Sequence, residues 1–177
     1  LQMVEQAVQR LKGQVVEEEP DPTLRLSVSA YIPEDYVADS HQRLSLYKRL
    51  SSCGQLGDLA LMHGEIEDRY GHPPDPVERL FELMQIRLLA KQLRLSSVVE
   101  QPHAVVITFD PKATVSETAV QALMDRYKKR LRFLSPLSFE LQIPHEDWSL
   151  VFPELNATLQ TLHVCGTNNQ GPRTAST

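Results

Sequence analysis

Residues 30–50 read AYIPEDYVADSHQRLSLYKRL, and residues 64–80 read GEIEDRYGHPPDPVERL. Both stretches are dense in helix starts, helix stops and turn residues. Asp39 has the side chain of an N-cap, and Gln42 stands three residues later, where it can complete a capping box. Neither stretch contains a catalytic constellation. Dense structural signals without reactive groups predict a binding or regulatory module rather than an enzyme.

A helix predicted over residues 75–93 is expected to lie at the centre of the domain. Asp75 supplies a cap acceptor, and Pro76 occupies the first helical position. Its first apolar stripe comprises Val77, Leu80, Phe81, Met84 and Leu88, and its second comprises Leu83, Ile86, Ala90 and Leu93. A helix that is apolar on two sides packs between two other layers.

The remaining periodicity predicts a mixed α/β (α+β) domain, in which a small sheet of few strands packs with about five helices. Alternating apolar and polar residues predict strands over residues 24–32, 105–109 and 137–143. Helical spacing predicts further helices from residue 39 to about 50, over 55–70, over about 116–132, and from Trp148 to Leu162. Pro153 in the last helix implies a late start or a kink.

Four segments are expected along the chain. Residues 1–12 are interpreted as the end of an upstream domain, because the chain starts inside a helical pattern rather than at an initiator Met. Residues 13–23 contain Glu17–Glu19 and two prolines, which predicts an extended acidic linker. Residues 24–163 form the predicted domain, and residues 164–177 are expected to be a disordered tail.

The composition argues against several classes of protein. The chain has 177 residues and a formal net charge of −5, which disfavours a dedicated nucleic-acid binder. No apolar run approaches the roughly 20 residues that cross a bilayer, and no signal-peptide pattern opens the chain. Cys53 and Cys165 match no CxxC spacing, so reduced thiols and a cytoplasmic location are expected.

Reactive groups are sparse. The glycines form no phosphate-binding loop and the histidines form no HxxxH or HExxH pair, so neither a cofactor nor a metal is expected. His63 falls on the apolar stripe of its helix, where a hydrogen-bonded core histidine is the expected role. Cys53 with His63 as base would be a minimal nucleophilic pair, but a small buried cysteine is far more frequent.

The helix predicted over residues 55–70 has an acidic side. At ~100° per residue, Asp58, Leu61, Glu65 and Asp68 gather opposite the apolar stripe of Leu56, Leu59, His63, Ile66 and Tyr70. A solvated helix face is the ordinary interpretation. Three carboxylates on one stripe nevertheless repel each other unless a nearby cation neutralises their charge. Leu61 places an apolar side chain among them.

Two functional interpretations of this acidic side follow. A partner presenting arginines could make bidentate, charge-assisted hydrogen bonds to Glu65 and Asp68. A general acid/base pair is the enzymatic alternative, for which an exposed helix offers no desolvation.

Lys128, Lys129, Arg130 and Arg132 form the only basic cluster of the sequence. Favourable interaction with the C-terminal end of a helix explains it adequately, and a weak phosphate contact is the alternative. On that alternative the chain would be an accessory nucleic-acid-binding domain with salt-dependent affinity for DNA.

Motifs within residues 24–162 resemble the C-terminal domain of the bacterial transcription-repair coupling factor. The motifs are Tyr31-Ile32-Pro33, Tyr47-Lys48-Arg49, Glu65 with Asp68-Arg69-Tyr70-Gly71, and Pro74. Residues 1–12 resemble the closing helix of that family's translocase domain. The connection over residues 51–57 is shorter than usual in the family, and Tyr70 stands where phenylalanine is common.

The resemblance implies a parent protein that is an ATP-driven double-stranded DNA translocase acting in transcription-coupled nucleotide excision repair. Such a protein removes stalled RNA polymerase and recruits UvrA, and its ATP and Mg²⁺ belong to the motor domains. The C-terminal domain is expected to pack against an N-terminal UvrB-like module, mask the UvrA-binding surface and restrain the motor. The family's acidic pair, which faces arginines of that module, aligns with Glu65 and Asp68, with Leu61 and Asp58 beside them. An accessory domain that binds nucleic acid or RNA polymerase is the alternative.

Overall fold

The computed structural model describes residues 21–144 and 147–167. The element order is β1 (Thr23–Arg25), α1 (Ser40–Ser52), α2 (Leu56–Tyr70), α3 (Asp75–Gln92), β2 (Leu95–Gln101), β3 (Ala104–Phe109), α4 (Glu117–Tyr127), a 3-10 turn (Lys128–Arg130), β4 (Leu131–Ser135), β5 (Ser138–Gln142) and α5 (Trp148–Thr167). The strands form one sheet in the order β1-β2-β3-β5-β4. Strand β1 runs parallel to β2, and all other neighbours are antiparallel. The predicted α+β fold is confirmed. The predicted helix over residues 1–12 and most of the predicted linker lie outside the described residues.

Helix α3 separates two hydrophobic clusters, as its two stripes predict. On one side Ile86, Leu89 and Ala90 pack with the sheet, α4 and α5. On the other side Val77 and Leu80 pack with α1 and α2. The remaining stripe residues divide in the same way, with Leu83 and Leu93 against the first cluster and Phe81, Met84 and Leu88 in or against the second. A buried helix packed on two sides fixes both halves of the domain to each other.

The start of α3 differs from the prediction by one residue. Asp75 is already helical, and Pro74 occupies the cap position without a side-chain cap bond. The Pro74 carbonyl oxygen accepts from the backbone N–H groups of Val77 (2.9 Å) and Glu78 (3.1 Å). Asp75 therefore lies in the first turn of α3. Its negative charge interacts favourably with the helix dipole there, but its side chain does not cap a free N–H group.

The segment preceding α1 alternates as predicted but is mostly not a strand. Residues 23–31 alternate strictly between exposed and half-buried positions, whereas only Thr23–Arg25 pairs with β2. The predicted strand over residues 24–32 is therefore wrong beyond Arg25. We call residues 26–32 the strap, because the chain there passes from one hydrophobic cluster to the other: Leu26 and Val28 contact the first and Ile32 belongs to the second.

Hydrogen bonds to other elements replace the missing ladder of the strap. Ser27 N donates to Glu100 Oε2 (2.6 Å), and Ile32 N donates to Tyr47 Oη (2.7 Å). Tyr31 N donates to the Pro76 carbonyl oxygen (3.2 Å). The N–H groups of a half-buried extended segment need acceptors. Three of those of the strap bond to β2, α1 and α3, and Val28 N donates to the Leu26 carbonyl oxygen (2.9 Å) within the strap.

The Tyr47 hydroxyl is expected to be the acceptor on which the end of the strap depends. Tyr47→Phe leaves the Ile32 N–H without its partner beneath a buried side chain, so the free energy of unfolding should fall by about 1–2 kcal/mol. Tyr31→Phe is the matched control, because Tyr31 is 48% exposed and should change stability by less than about 0.5 kcal/mol. Urea unfolding of both variants measures the difference, and equal effects would show that the hydroxyl of Tyr47 does not hold the strap.

The structure differs from the predicted elements in the second half of the chain. Strands β2 and β4 are additional to those predicted, and the helix expected over about 116–132 ends at Tyr127. Lys128 has a positive φ of 49°, which interrupts the helix, and the residues after Arg130 pair with β5 instead. Helix α5 begins at Trp148 with Pro153 inside it, rather than starting late, and it continues to Thr167. Residues 164–167 of the predicted tail are therefore helical, and the rest of the tail lies outside the described residues.

Candidate functional site

Helices α1 and α2 form an antiparallel pair joined by residues 53–55. Asp39 Oδ1 accepts from Gln42 N (2.9 Å) and caps α1 as predicted. The side chain of Gln42 does not complete the capping box, because its Oε1 accepts from Tyr70 Oη (2.8 Å) at the far end of α2. Gly71, with a φ of 87°, ends α2 in a conformation that favours glycine. The two helices are thus fixed in register at their open end.

The outer side of α2 carries the residues singled out by sequence, and we call Asp58, Leu61, Glu65 and Asp68 the acidic face. All four are exposed, while Leu59, Met62 and Ile66 are buried beneath them. Leu61 is 77% exposed, the largest exposed fraction of a large hydrophobic side chain among the described residues. The arrangement is an apolar anchor surrounded by carboxylates on a rigid helix.

Glu65 is paired within the domain, with an arginine of the neighbouring helix. Arg49 of α1 donates from Nη1 to Glu65 Oε1 (2.8 Å) and from Nη2 to Glu65 Oε2 (2.5 Å). The hydrogen bonds from Arg49 hold the pKa of the Glu65 carboxyl below its usual range. The same bonds raise the pKa of the Arg49 guanidinium.

Only part of the signal for this pair was present in the sequence. Two helices joined by a short connection run antiparallel, so a cation near the end of α1 can face a carboxylate of α2. Arg49 lies four residues before the connection and Glu65 ten residues after it, so equal spacing from the connection does not pair them. Periodicity along α2 alone could not show it, because the cation belongs to the neighbouring helix.

Asp68 differs from Glu65 in its surroundings. Within the described part of the chain, neither Asp68 nor Asp58 makes a hydrogen bond or ion pair through its carboxylate. The neighbouring Arg69 lies over the ring of Tyr70, with 5.3 Å from its guanidinium carbon to the ring centroid. Asp58, Leu61 and Asp68 are therefore the members of the acidic face most available to an incoming partner.

The Cys53 and His63 side chains do not form a nucleophilic pair. His63 Nε2 lies 3.0 Å from each carboxylate oxygen of Glu78, and its ring packs edge-on against Phe81 at 4.8 Å between centroids. Cys53 Sγ donates to the Arg49 carbonyl oxygen (3.4 Å), and burial raises the pKa of its thiol. A thiol with a raised pKa is a poor nucleophile, and His63 is the hydrogen-bonded histidine that the sequence predicts.

The basic cluster is divided by the fold. Arg130 donates to the Gln142 carbonyl oxygen from Nε (3.0 Å) and Nη2 (2.8 Å), and Nη2 also donates to Glu154 Oε1 (2.6 Å). Arg132 pairs with Glu140 across the strands at 3.5 Å. Lys128 and Lys129 are exposed. Two of the four predicted phosphate contacts are thus committed to holding β5 and α5, which weakens the phosphate interpretation.

The described residues contain no cluster of three or more side chains that could hold a metal ion. A cleft of about 890 Å³ lies between the strap and the β2–β3 hairpin, lined among others by Arg25, Glu100 and His103. The Glu100 carboxylate accepts a hydrogen bond there from Ser27 N. No helix among the described residues has the length and apolarity needed to cross a membrane.

Comparison with known proteins agrees with the motifs of the α1–α3 region. Residues 26–120 match the family model of the TRCF domain. A transcription-repair-coupling factor of Myxococcus xanthus is 32% identical over 143 residues, which are 81% of this chain and 12% of that protein. The corresponding protein of Bacillus subtilis is 31% identical over 114 residues, 64% of this chain and 10% of its own length. The chain thus spans about a tenth of the length of these relatives.

A solved structure shares the fold. The crystal structure of a C-terminal domain of transcription-repair coupling factor superposes with a TM-score of 0.75 at 16% identity, covering 88% of this chain and all of that one. The family model covers more than half of the chain, with the strap, α1, α2 and α3 all inside the match. By sequence and by fold, this chain belongs to the TRCF domain family of transcription-repair coupling factors.

Proposed function

We propose that this chain is a non-catalytic interaction domain that holds a transcription-repair coupling factor in a closed state. In this proposal the acidic face docks on an arginine-bearing surface of a UvrB-like N-terminal module of the same protein. Docking masks the UvrA-binding surface of that module and restrains the ATP-dependent DNA translocase. ATP and Mg²⁺ serve the motor domains of that bacterial cytoplasmic protein, and RNA polymerase and double-stranded DNA engage it elsewhere.

The exposure of Leu61 between carboxylates is the observation that carries the proposal. A leucine that is 77% exposed contributes little to the stability of the free domain. Its burial against a partner would make the free energy of docking more favourable. The carboxylates around it favour a positively charged partner, and arginine matches a carboxylate in shape as well as charge. A surface of this kind fits a protein partner better than a small substrate.

The four residues of the acidic face are a small docking surface. Such a surface can hold the protein closed when it and its partner surface belong to one polypeptide. Tethering converts docking into an intramolecular step with an effective concentration in the ~mM range. A contact that would be weak between separate proteins can then keep the closed state populated. It also remains weak enough for a competing partner to open it.

Charge reversal on the acidic face is expected to open the parent protein. Asp68→Lys, alone and with Glu65→Lys, places like charges against the arginines of the partner surface. We expect UvrA affinity and basal ATPase activity to rise about tenfold, which corresponds to a docking loss of about 1.4 kcal/mol. Titration with UvrA and steady-state ATPase assays on the full-length protein measure both.

Glu67→Lys is the matched control for this experiment. Glu67 is an exposed carboxylate of the same helix, but it lies on the flank that faces His72 at 3.4 Å. The same change of charge there should leave UvrA binding and ATPase within about twofold of the parent. If Asp68→Lys and Glu67→Lys behave alike, the acidic face is not the docking surface.

A further inference from the structure

The acidic face has a cation of its own, and we propose that Arg49 is a competing counter-ion that limits how tightly an arginine-bearing partner binds Glu65. The proposal rests on the docking function proposed above and adds a regulator to it. Arg49 lies on α1, outside the face that sequence periodicity defines. Because Arg49 competes with the partner's arginine for Glu65, it weakens docking, whereas Glu65 and Asp68 strengthen it.

The geometry of the pair makes Arg49 a competitor rather than a bystander. Both carboxylate oxygens of Glu65 accept from Arg49, at 2.8 and 2.5 Å. This fork-to-fork pairing is the arrangement that an arginine of a partner would adopt. A second guanidinium can make the same bidentate contact only after Arg49 has left, and it would then stand beside a like charge.

The exposure of the pair sets the size of the competition. The side chains of Arg49 and Glu65 are 46% and 50% exposed, so water and salt screen their attraction. Exposed pairs of this kind are weak, and displacing Arg49 should reduce affinity for the partner by no more than about fivefold. Such a barrier weakens docking without preventing it.

Asp68 and Glu65 accordingly have different roles in docking. Asp68, like Asp58, has no ion pair within the described part of the chain and can accept a partner arginine directly. Glu65 binds a partner only in exchange for Arg49. The acidic face therefore offers two immediate carboxylate contacts and one conditional contact, and the conditional one makes the closed state easier to open.

Substitution of Arg49 in the full-length protein tests this role. Arg49→Gln removes the competing guanidinium, so the closed state should gain population and UvrA affinity should fall by about two- to fivefold. Lys48→Gln is the matched control, because it removes the same charge from the neighbouring exposed position of α1. Its effect on the logarithm of the UvrA affinity should be less than half of the effect of Arg49→Gln. In a Glu65→Gln background, Arg49→Gln should change UvrA affinity no more than Lys48→Gln does.

A second readout on this chain reports the pair itself. In an NMR titration the Glu65 carboxyl should titrate below the usual pKa of a glutamate, because the charge-assisted bonds from Arg49 favour its ionised form. Arg49→Gln should raise that pKa, and Lys48→Gln should leave it nearly unchanged. A Glu65 pKa that does not respond to Arg49→Gln overturns the proposal.

The outcomes separate this proposal from the docking function. If Asp68→Lys raises UvrA affinity but Arg49→Gln leaves it unchanged or raises it, docking stands and the competing role of Arg49 is wrong. If Arg49→Gln acts equally in the Glu65→Gln background, it acts by another route and the proposal is also wrong. If Asp68→Lys changes nothing, the docking function and the role of Arg49 within it are both excluded.

Discussion

Ile66→Ala is expected to lower the free energy of unfolding by about 2–5 kcal/mol, because it opens a cavity between α2 and α3. The Ile66 side chain is 2% exposed and belongs to the cluster shared with Val77 and Phe81. Loss of buried methyl groups removes both the transfer free energy and the contacts of the surrounding side chains. Urea unfolding followed by circular dichroism measures the change as a lower midpoint at unchanged slope.

Leu61→Ala provides the comparison within the same helix. Leu61 is 77% exposed, and alanine is at least as good a helix former, so stability should change by no more than about 0.5 kcal/mol. The same substitution removes the apolar anchor of the acidic face and should raise UvrA affinity in the full-length protein. Comparable destabilisation by Ile66→Ala and Leu61→Ala would mean that α2 is rotated from the orientation described here.

Arg130→Ala is expected to lower the free energy of unfolding by about 1.5–3 kcal/mol, the range typical of hydrogen bonds that involve charged groups. Arg130 lies in the 3-10 turn after α4, and its guanidinium contacts the last residue of β5 and Glu154 of α5. Glu154 is only 18% exposed, so removal of Arg130 leaves a largely buried carboxylate without its cation. Thermal or urea unfolding of the variant measures the loss.

Lys129→Ala is the control at the neighbouring position. Lys129 is exposed and should affect stability by less than about 0.5 kcal/mol. The pair also tests the nucleic-acid alternative, since phosphate contacts by this cluster would make affinity for DNA at low salt fall on Lys129→Ala. Retention of stability in Arg130→Ala would show that the contacts to Gln142 and Glu154 do not hold α5.

The motifs that reveal the family are mostly structural. Tyr47 accepts the N–H of Ile32, Tyr70 bonds to Gln42, and Gly71 takes the positive φ that ends α2. These residues fix the strap and the helix pair against α3. The resemblance in sequence therefore reports a fold, while the surface that the fold presents depends on the few exposed positions of α2.

The sequence identified what depends on local periodicity. It predicted α2 and α3 closely, divided the residues of α3 correctly between two clusters, and placed Asp58, Leu61, Glu65 and Asp68 on the side of α2 away from the core. Each of these features repeats within a few residues along one helix. The function of the acidic face stays a prediction, because exposure alone does not identify a partner.

Tertiary contacts decided the rest. The strap alternates like a strand, yet three of its N–H groups bond to a side chain of β2, a side chain of α1 and a carbonyl oxygen of α3, none of which is near in sequence. The end of α4 became a turn and an edge strand because pairing with β5 outweighed helical spacing. Arg49 reached Glu65 because the turn between α1 and α2 folds the two helices side by side. Periodicity describes one element at a time, whereas the charge that a surface presents is the sum over all the elements that meet there.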